Sequence, residues 1–314
     1  MLDPVLIGAA AAAAGALSYG SAYAAWANAR FPAHGRMVKV KGARLHVIER
    51  GEGPPVALLH GASANAREFE GCVLPLLDGF RALAFDRPGH GHSSRPAQAA
   101  QLKVAAGLIA EALSALDATP AVIVAHSLGS ATALRLALDH PEKVAGLVLI
   151  APASHPYPGL NAWHARWAAK PVIGPLFARL GPPMVGPLIA PGAVAHTFAP
   201  APAPPGYADQ SGLALLFRPK TFRANAQDLI ASKAEFAAQY FRYDEIACPA
   251  AILTAETDRV VSPRIHAVQL KRAMVQSELI TVPGAGHMPH QIRPQAVAAA
   301  VARVWRLAQG APDA

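Results

Sequence analysis

The sequence predicts an α/β domain on a mostly parallel sheet, and three observations carry that prediction. From about residue 36, short apolar β runs alternate with stretches of helical periodicity. The run Ala121-Val122-Ile123-Val124 leads directly into Ala125-His126-Ser127-Leu128-Gly129, which puts a serine among small residues where a buried strand turns sharply into a helix. The alternation then lapses from Pro152 to about residue 240 and resumes, so a separate segment is inserted between the sixth and seventh strands.

Met37–Val40 and Arg44–Glu49 form an opening β pair around Lys41-Gly42. Val56–Leu59 is a buried strand and Ala64–Leu77 reads as a helix, broken late by Pro75. Ala82–Phe85 is the next strand and ends in Asp86-Arg87-Pro88-Gly89-His90-Gly91. Ala97–Leu116 has helical periodicity, Ala121–Ala125 is the strand before the serine, Leu128–Asp139 the helix after it, and Leu147–Ile150 a strand. In the insertion, Ala199–Gly206 is too rich in proline for a helix or a central strand, and Thr221–Tyr240 is helical. Strand Ala250–Ala255, helix Arg264–Met274, strand Glu278–Val282 and helix Pro294–Leu307 close the chain. The division is an N-terminal segment over 1–29, a core over 36–151 and 241–310, and a cap over 152–240. No internal repeat is present.

Composition narrows the function classes. The 314 residues suffice for one large α/β domain or two small ones, and the 53% hydrophobic content, although inflated by alanine, supports a sizeable core. Cys72 and Cys248 lie far apart with no metal-ligand spacing, so free buried thiols are expected and zinc is not. The net charge of +8 comes without any run of Lys/Arg interleaved with aromatics, which argues against nucleic-acid binding.

No charged residue lies between Asp3 and Arg30, and 26 residues of helix span roughly 39 Å against about 30 Å of hydrocarbon. The segment is mostly alanine, with Val5, Leu6, Ile7, Leu17 and Trp26 as its stronger apolar residues. Three readings stand: a retained single-pass membrane anchor over 4–29, favoured on length; a signal peptide cleaved near Ala22-Tyr23-Ala24; and an Ala-rich helix that packs on the domain. With an anchor, Arg30, Arg36, Lys39, Lys41 and Arg44 would place the following domain on the cytoplasmic side.

A serine that attacks a carbonyl needs a base within hydrogen-bond reach and an acid to orient that base. Thr254-Ala255-Glu256-Thr257-Asp258 ends one strand, and Gly284-Ala285-Gly286-His287 follows the next. Both lie at strand C-terminal ends, where an open α/β sheet gathers its functional residues. The expected constellation is Ser127 as nucleophile, His287 as base and Asp258 as acid, with His290 and Glu256 as the competing base and acid. An oxyanion needs two backbone donors, and these are assigned to the amides of Ala62, in the loop His60-Gly61-Ala62-Ser63, and Leu128, with the Ser63 hydroxyl as a further donor. Asp86 is read as a brace for its own turn. His60 is read as loop scaffold, and His90, His92 and His126 as structural or pocket-lining residues that form no metal set.

Together, His60-Gly61, Asp86 to Ser93, Ala125 to Gly129 and Gly286-His287-Met288-Pro289-His290 resemble the α/β-hydrolase superfamily over roughly residues 36–310. Ala125 departs from its pattern, which has glycine there. The resemblance implies an eight-stranded sheet with helices on both faces and a cap. It covers esterases, lipases, thioesterases, carbon–carbon bond hydrolases and cofactor-free peroxidases. Epoxide hydrolases and dehalogenases use aspartate where this chain has Ser127. The expected activity is hydrolysis of an ester or thioester of a small hydrophobic acyl or aromatic substrate through an acyl-enzyme, with no cofactor and no metal. A carbon–carbon bond hydrolase, with Arg218 or Arg223 holding a substrate carboxylate, and a non-catalytic binding or accessory protein are the alternatives.

Overall fold

The computed structural model describes residues 3–158 and 162–310. Eight strands build one sheet: β1 (Arg36–Val40), β2 (Ala43–Arg50), β3 (Pro55–Leu59), β4 (Arg81–Phe85), β5 (Ala121–His126), β6 (Val144–Ile150), β7 (Ala250–Thr254) and β8 (Ser277–Thr281). Their spatial order is β1-β2-β4-β3-β5-β6-β7-β8. β2 runs antiparallel to both neighbours and every other pairing is parallel. The central strand β5 is buried at all six positions, which is why it reads as an unbroken apolar run rather than an alternation.

In chain order the helices are α1 (Pro4–Arg30), α2 (Leu102–Ala115), α3 (Leu128–Asp139), α4 (Trp163–Ala169), α5 (Gly174–Leu180), α6 (Pro182–Phe198), α7 (Tyr207–Gln210), α8 (Pro219–Ala237), α9 (Ala267–Ala273), α10 (Pro289–Ile292) and α11 (Pro294–Ala308). The period-2 alternation of the strands splits the core into two layers. Ile123, Leu147, Leu149 and Ile252 pack with Ile109 and Leu113 of α2, Leu134 of α3 and Leu270 of α9. Val122, Val124, Val148 and Ile150 face the other way, against Phe69, Leu74 and, from α11, Val301 and Val304. Residues 152–240 add only helices and turns among the described residues, between β6 and β7.

Two expectations fail. Ala64–Leu77 is not a helix: it holds two 3-10 turns, Ala66–Phe69 and Leu74–Leu76. Asn65 caps the first by accepting from the Arg67 amide at 3.0 Å, and Pro75 sits at the start of the second.

The N-terminal anchor fails as well. Among the described residues no helix is long and apolar enough to cross a membrane. α1 has the length, but alanine contributes little to membrane partitioning, and the cytoplasmic placement rested on that anchor. The side chains of Val5, Leu6, Ile7 and Leu17 lie outside what the structure describes. Beyond them α1 packs on the insertion. Tyr23 and Ala27, with Phe31 just past the helix end, are buried against Leu215 and Phe217. Tyr23 Oη donates to Ala214 O at 3.3 Å, and Arg30 pairs with Asp209 at 2.5 Å. At Gly20 a Cβ would stand 2.5 Å from Arg179 O, so α1 crosses α5 at a distance only glycine permits.

Candidate active site

The site starts from a steric demand at the end of β5. Ser127 has φ 50° and ψ −121°, a conformation few L residues adopt. It is held there by its amide, which donates to Ile150 O at 2.9 Å, and by its carbonyl, which accepts from Ser130 N at 3.0 Å and Ala153 N at 3.1 Å. The neighbours must be small for this to fit. A Cβ on Gly129 would meet Leu59 O at 2.5 Å and His60 O at 2.6 Å, and one on Gly61 would meet Ser127 Cβ at 3.0 Å. Ala125 is fully buried in the sheet-side core, so its methyl is accommodated where the family pattern has glycine.

Ser127 Oγ lies 2.9 Å from His287 Nε2, and His287 Nδ1 lies 2.8 Å from Asp258 Oδ2. Asp258 can only accept, so Nδ1 carries the proton and Nε2 is left to accept from the serine hydroxyl. The other Asp258 oxygen accepts from the amides of Val260 and Val261 at 2.8 and 2.9 Å, which fixes the carboxylate. All three side chains are buried. Burial pushes the His287 ring below the usual imidazole value, and Asp258 offsets only part of that shift. Such an arrangement can draw a proton from a hydroxyl and stabilise the resulting imidazolium. The competing acid Glu256 is exposed, and the competing base His290 faces Glu68 instead.

Leu128 begins α3 directly after the serine, and Ala62 packs against the cluster that contains Leu128, Leu102, Ala153 and Phe236. Ser63, with φ 61°, does not point its hydroxyl at a free position. Its amide donates to Asn225 Oδ1 at 2.7 Å and its oxygen accepts from Asn225 Nδ2 at 3.1 Å. His60 is a scaffold: its Nδ1 donates to Gly61 O at 2.8 Å and its Nε2 accepts from Arg87 N at 3.0 Å, with burial pushing its pKa down to about 4. Asp86 braces more than its own turn, accepting from Ala66 N, His92 N and His46 Nδ1, each at 2.7 Å.

The insertion is tied to this end of the sheet by buried charges. Asp228 of α8 pairs with Arg87 at 3.0 Å and Arg95 at 2.7 Å. Arg218 is spent on Asn28 Oδ1, Gly91 O, Leu215 O and Thr221 Oγ1. Of the insertion's aromatics, Trp163 and Trp167 are exposed and Phe198 packs edge-on against Tyr207. Phe236 is the ring that packs beside Leu128, with Tyr157 against it. A cavity of about 1050 Å³ opens between α1 and the α6–α7 stretch, lined by Tyr23, Trp26, Pro187, Val194 and Tyr207 among others, and none of Ser127, Asp258 and His287 lines it.

Sequence reasoning missed one cluster. Glu68, His126 and His290 are buried together, and among the described residues they are the group whose ligand atoms lie close enough to hold a metal. Two of their nitrogens, His126 Nδ1 and His290 Nε2, lie 2.9 Å from the same Glu68 oxygen. His290 Nε2 donates to that oxygen, while His126 Nδ1 faces it at ion-pair distance without a hydrogen bond.

An eight-stranded, mostly parallel sheet carries a strained serine after β5 and, after β8, a histidine hydrogen-bonded to it, which defines the class of α/β sheet proteins that gather side chains at the strand C-terminal ends. A family model described as "alpha/beta hydrolase fold" matches residues 54–294, most of the chain, and the protein belongs to that family. The chain is similar to a 2-(acetamidomethylene)succinate hydrolase of Mesorhizobium japonicum, 33% identical over 115 residues, which cover 37% of this chain and 41% of that protein. It is also 33% identical over 144 residues to a 2-hydroxymuconate semialdehyde hydrolase of a Pseudomonas species, covering 45% of this chain and 51% of that protein. The chain thus spans about half or less of the length of these curated relatives. An esterase structure from Exiguobacterium antarcticum superposes with a TM-score of 0.70 over 86% of this chain and 99% of that one, at 22% identity, which speaks to the fold.

Proposed function

We propose that the protein is a serine hydrolase that cleaves a carboxylic ester or thioester of a hydrophobic substrate through an acyl-enzyme. The observation that carries this reading is the unbroken line from Ser127 Oγ through His287 to Asp258, at 2.9 and 2.8 Å. In the first step His287 Nε2 takes the serine proton as Oγ attacks the carbonyl, and Asp258 stabilises the imidazolium. The amides of Leu128 and Ala62 donate to the oxyanion, an effect typically worth about 3–4 kcal/mol per donor. His287 then protonates the leaving group and later activates water. Residues 152–240 act as the cap, with Phe236 and Tyr157 as its apolar contribution beside the elbow.

The carbon–carbon bond hydrolase reading uses the same three residues and draws on the similarity to the hydroxymuconate semialdehyde hydrolase. Arg218 does not favour it, since its hydrogen bonds go to Asn28, Gly91, Leu215 and Thr221.

Turnover of p-nitrophenyl esters of increasing chain length, together with labelling by a fluorophosphonate, tests the proposal. Covalent labelling and ester turnover are expected, and both should vanish in Ser127→Ala. A Ser127→Ala variant with full activity would refute the mechanism. A vinylogous diketone acid cleaved faster than every ester would move the assignment to the carbon–carbon bond class.

A further inference from the structure

Behind the nucleophile elbow lies a second set of titratable side chains that the acyl-transfer steps do not use. Glu68 sits in the 3-10 turn Ala66–Phe69, His126 is the last residue of β5, and His290 lies in α10. All three are buried. His290 Nε2 donates to Glu68 Oε1 at 2.9 Å, and His126 Nδ1 lies 2.9 Å from the same oxygen. The other Glu68 oxygen is buried without a hydrogen-bond partner.

Counting protons decides the charge on His126. Its Nε2 lies 3.0 Å from the backbone carbonyl of His287, and a carbonyl only accepts, so Nε2 is protonated. Its Nδ1 stands 2.9 Å from a carboxylate oxygen at ion-pair distance, without a hydrogen-bond partner, and a bare nitrogen lone pair there would be repelled by the anion, so Nδ1 is protonated as well. A buried carboxylate with an orphan oxygen needs a compensating positive charge, and an imidazolium at ion-pair distance supplies it. Burial alone would push Glu68 up and His126 down. The attraction between them outweighs burial on both sides, holding Glu68 well below the carboxylate range and His126 above the imidazole value. His290, pushed down to about 4 by burial and by the His126 charge, stays neutral.

That cation touches the base of the proposed mechanism. Its ring centroid is 4.9 Å from that of His287, and its hydrogen bond holds the His287 carbonyl. We propose that Glu68 and a protonated His126 form an ion pair buried behind Ser127, and that this pair positions His287 and prevents its ring from taking up a second proton before turnover. The inference rests on the acyl-transfer reading above. His126 is a positioning residue and never touches the reacting atoms. The other titratable or charged groups facing the pair are His60, Arg87, Cys72, Tyr207, Asp258, His287 and His290. Burial keeps His60, Cys72 and Tyr207 neutral, and Arg87 is paired with Asp228.

The pH profile of kcat/KM for p-nitrophenyl butyrate tests the pair in His126→Gln and Glu68→Gln. Removing the cation lets His287 hold its proton to higher pH, so the acid limb moves upward in His126→Gln; in Glu68→Gln the loss of the cation is offset by the loss of the carboxylate that favours a charged His287, so the limb moves less. At pH 5.5 the rate of His126→Gln should fall about tenfold relative to the unsubstituted enzyme, while at pH 8.5 it stays within about twofold. An equal loss at every pH with an unmoved limb would mean packing alone, and would overturn the proposal. Nitrogen NMR of the imidazoles in the unsubstituted protein gives a readout independent of turnover and of how the variants fold. At pH 6.5 a mostly doubly protonated His126 ring is expected, and a mostly neutral ring would overturn the proposal. A failure of the unsubstituted protein to react with fluorophosphonate would count against the hydrolase reading and leave the NMR result standing.

Discussion

Gly129 shows what the elbow requires of single residues. Two backbone carbonyls stand where its Cβ would be, and neither can move without displacing β3 or its loop. Gly129→Ala should therefore cost roughly 1–3 kcal/mol, the range for forced overpacking, and thermal unfolding measures it. Asp258→Asn tests orientation rather than volume. It removes the acceptor that fixes the His287 tautomer, so kcat should drop about 10³–10⁴-fold with little change in thermal stability. Because burial lowers the His287 pKa, activity in the unsubstituted protein should persist below pH 6.5, the usual imidazole value, and a kcat/KM profile checks this. The positions of Ser127, Asp258 and His287 could be read because each lies just past the C-terminal end of an apolar strand, Ser127 and His287 at small-residue turns. Glu68 could not, because 3-10 turns carry no helical or strand period, and its partners His126 and His290 lie 58 and 222 positions away.

At the scale of elements, the strands were read to within a few residues because burial on both sheet faces makes them apolar runs. The insertion was read less well. α6 contains Pro187 and Pro191 inside a helix, which sequence rules count as breakers. Its neighbour α8 carries the strongest link to the core. Asp228→Ala would leave Arg87 buried without its counter-ion and should destabilise the protein by about 3–5 kcal/mol. Protease nicking within residues 152–240 should rise in parallel. The β2–β4 edge holds a second buried pair, His46 with Asp86. The Asp86 pKa is depressed, so its contribution to stability exists above pH 3.8 and is lost as pH falls through the folded value. His46 is raised, so its contribution exists below pH 6.5 and is lost as pH rises through the folded value. Denaturant midpoints should thus be highest between these two pH values, and His46→Gln should flatten the dependence.

For the whole molecule, α1 changes what counts as the domain. Its length invited a membrane reading, yet its described contacts run to Leu215, Phe217, Ala214 and Asp209 of the insertion. An Ala-rich segment can serve either environment, so composition alone could not decide between them. Ala27→Glu would force a carboxylate into that seam and should lower the melting temperature by several degrees, as expected for roughly 1–3 kcal/mol. The fastening of α8 has a further consequence. Asn225, Asp228, Ser232 and Phe236 recur every three or four residues, so one stripe of this helix meets the loop after β3, the loop after β4, Tyr157 and the elbow cluster. A bar bolted at several points does not swing. Within residues 152–240, α8 is the member fastened to the core, and α4 and α5 are packed on it in turn.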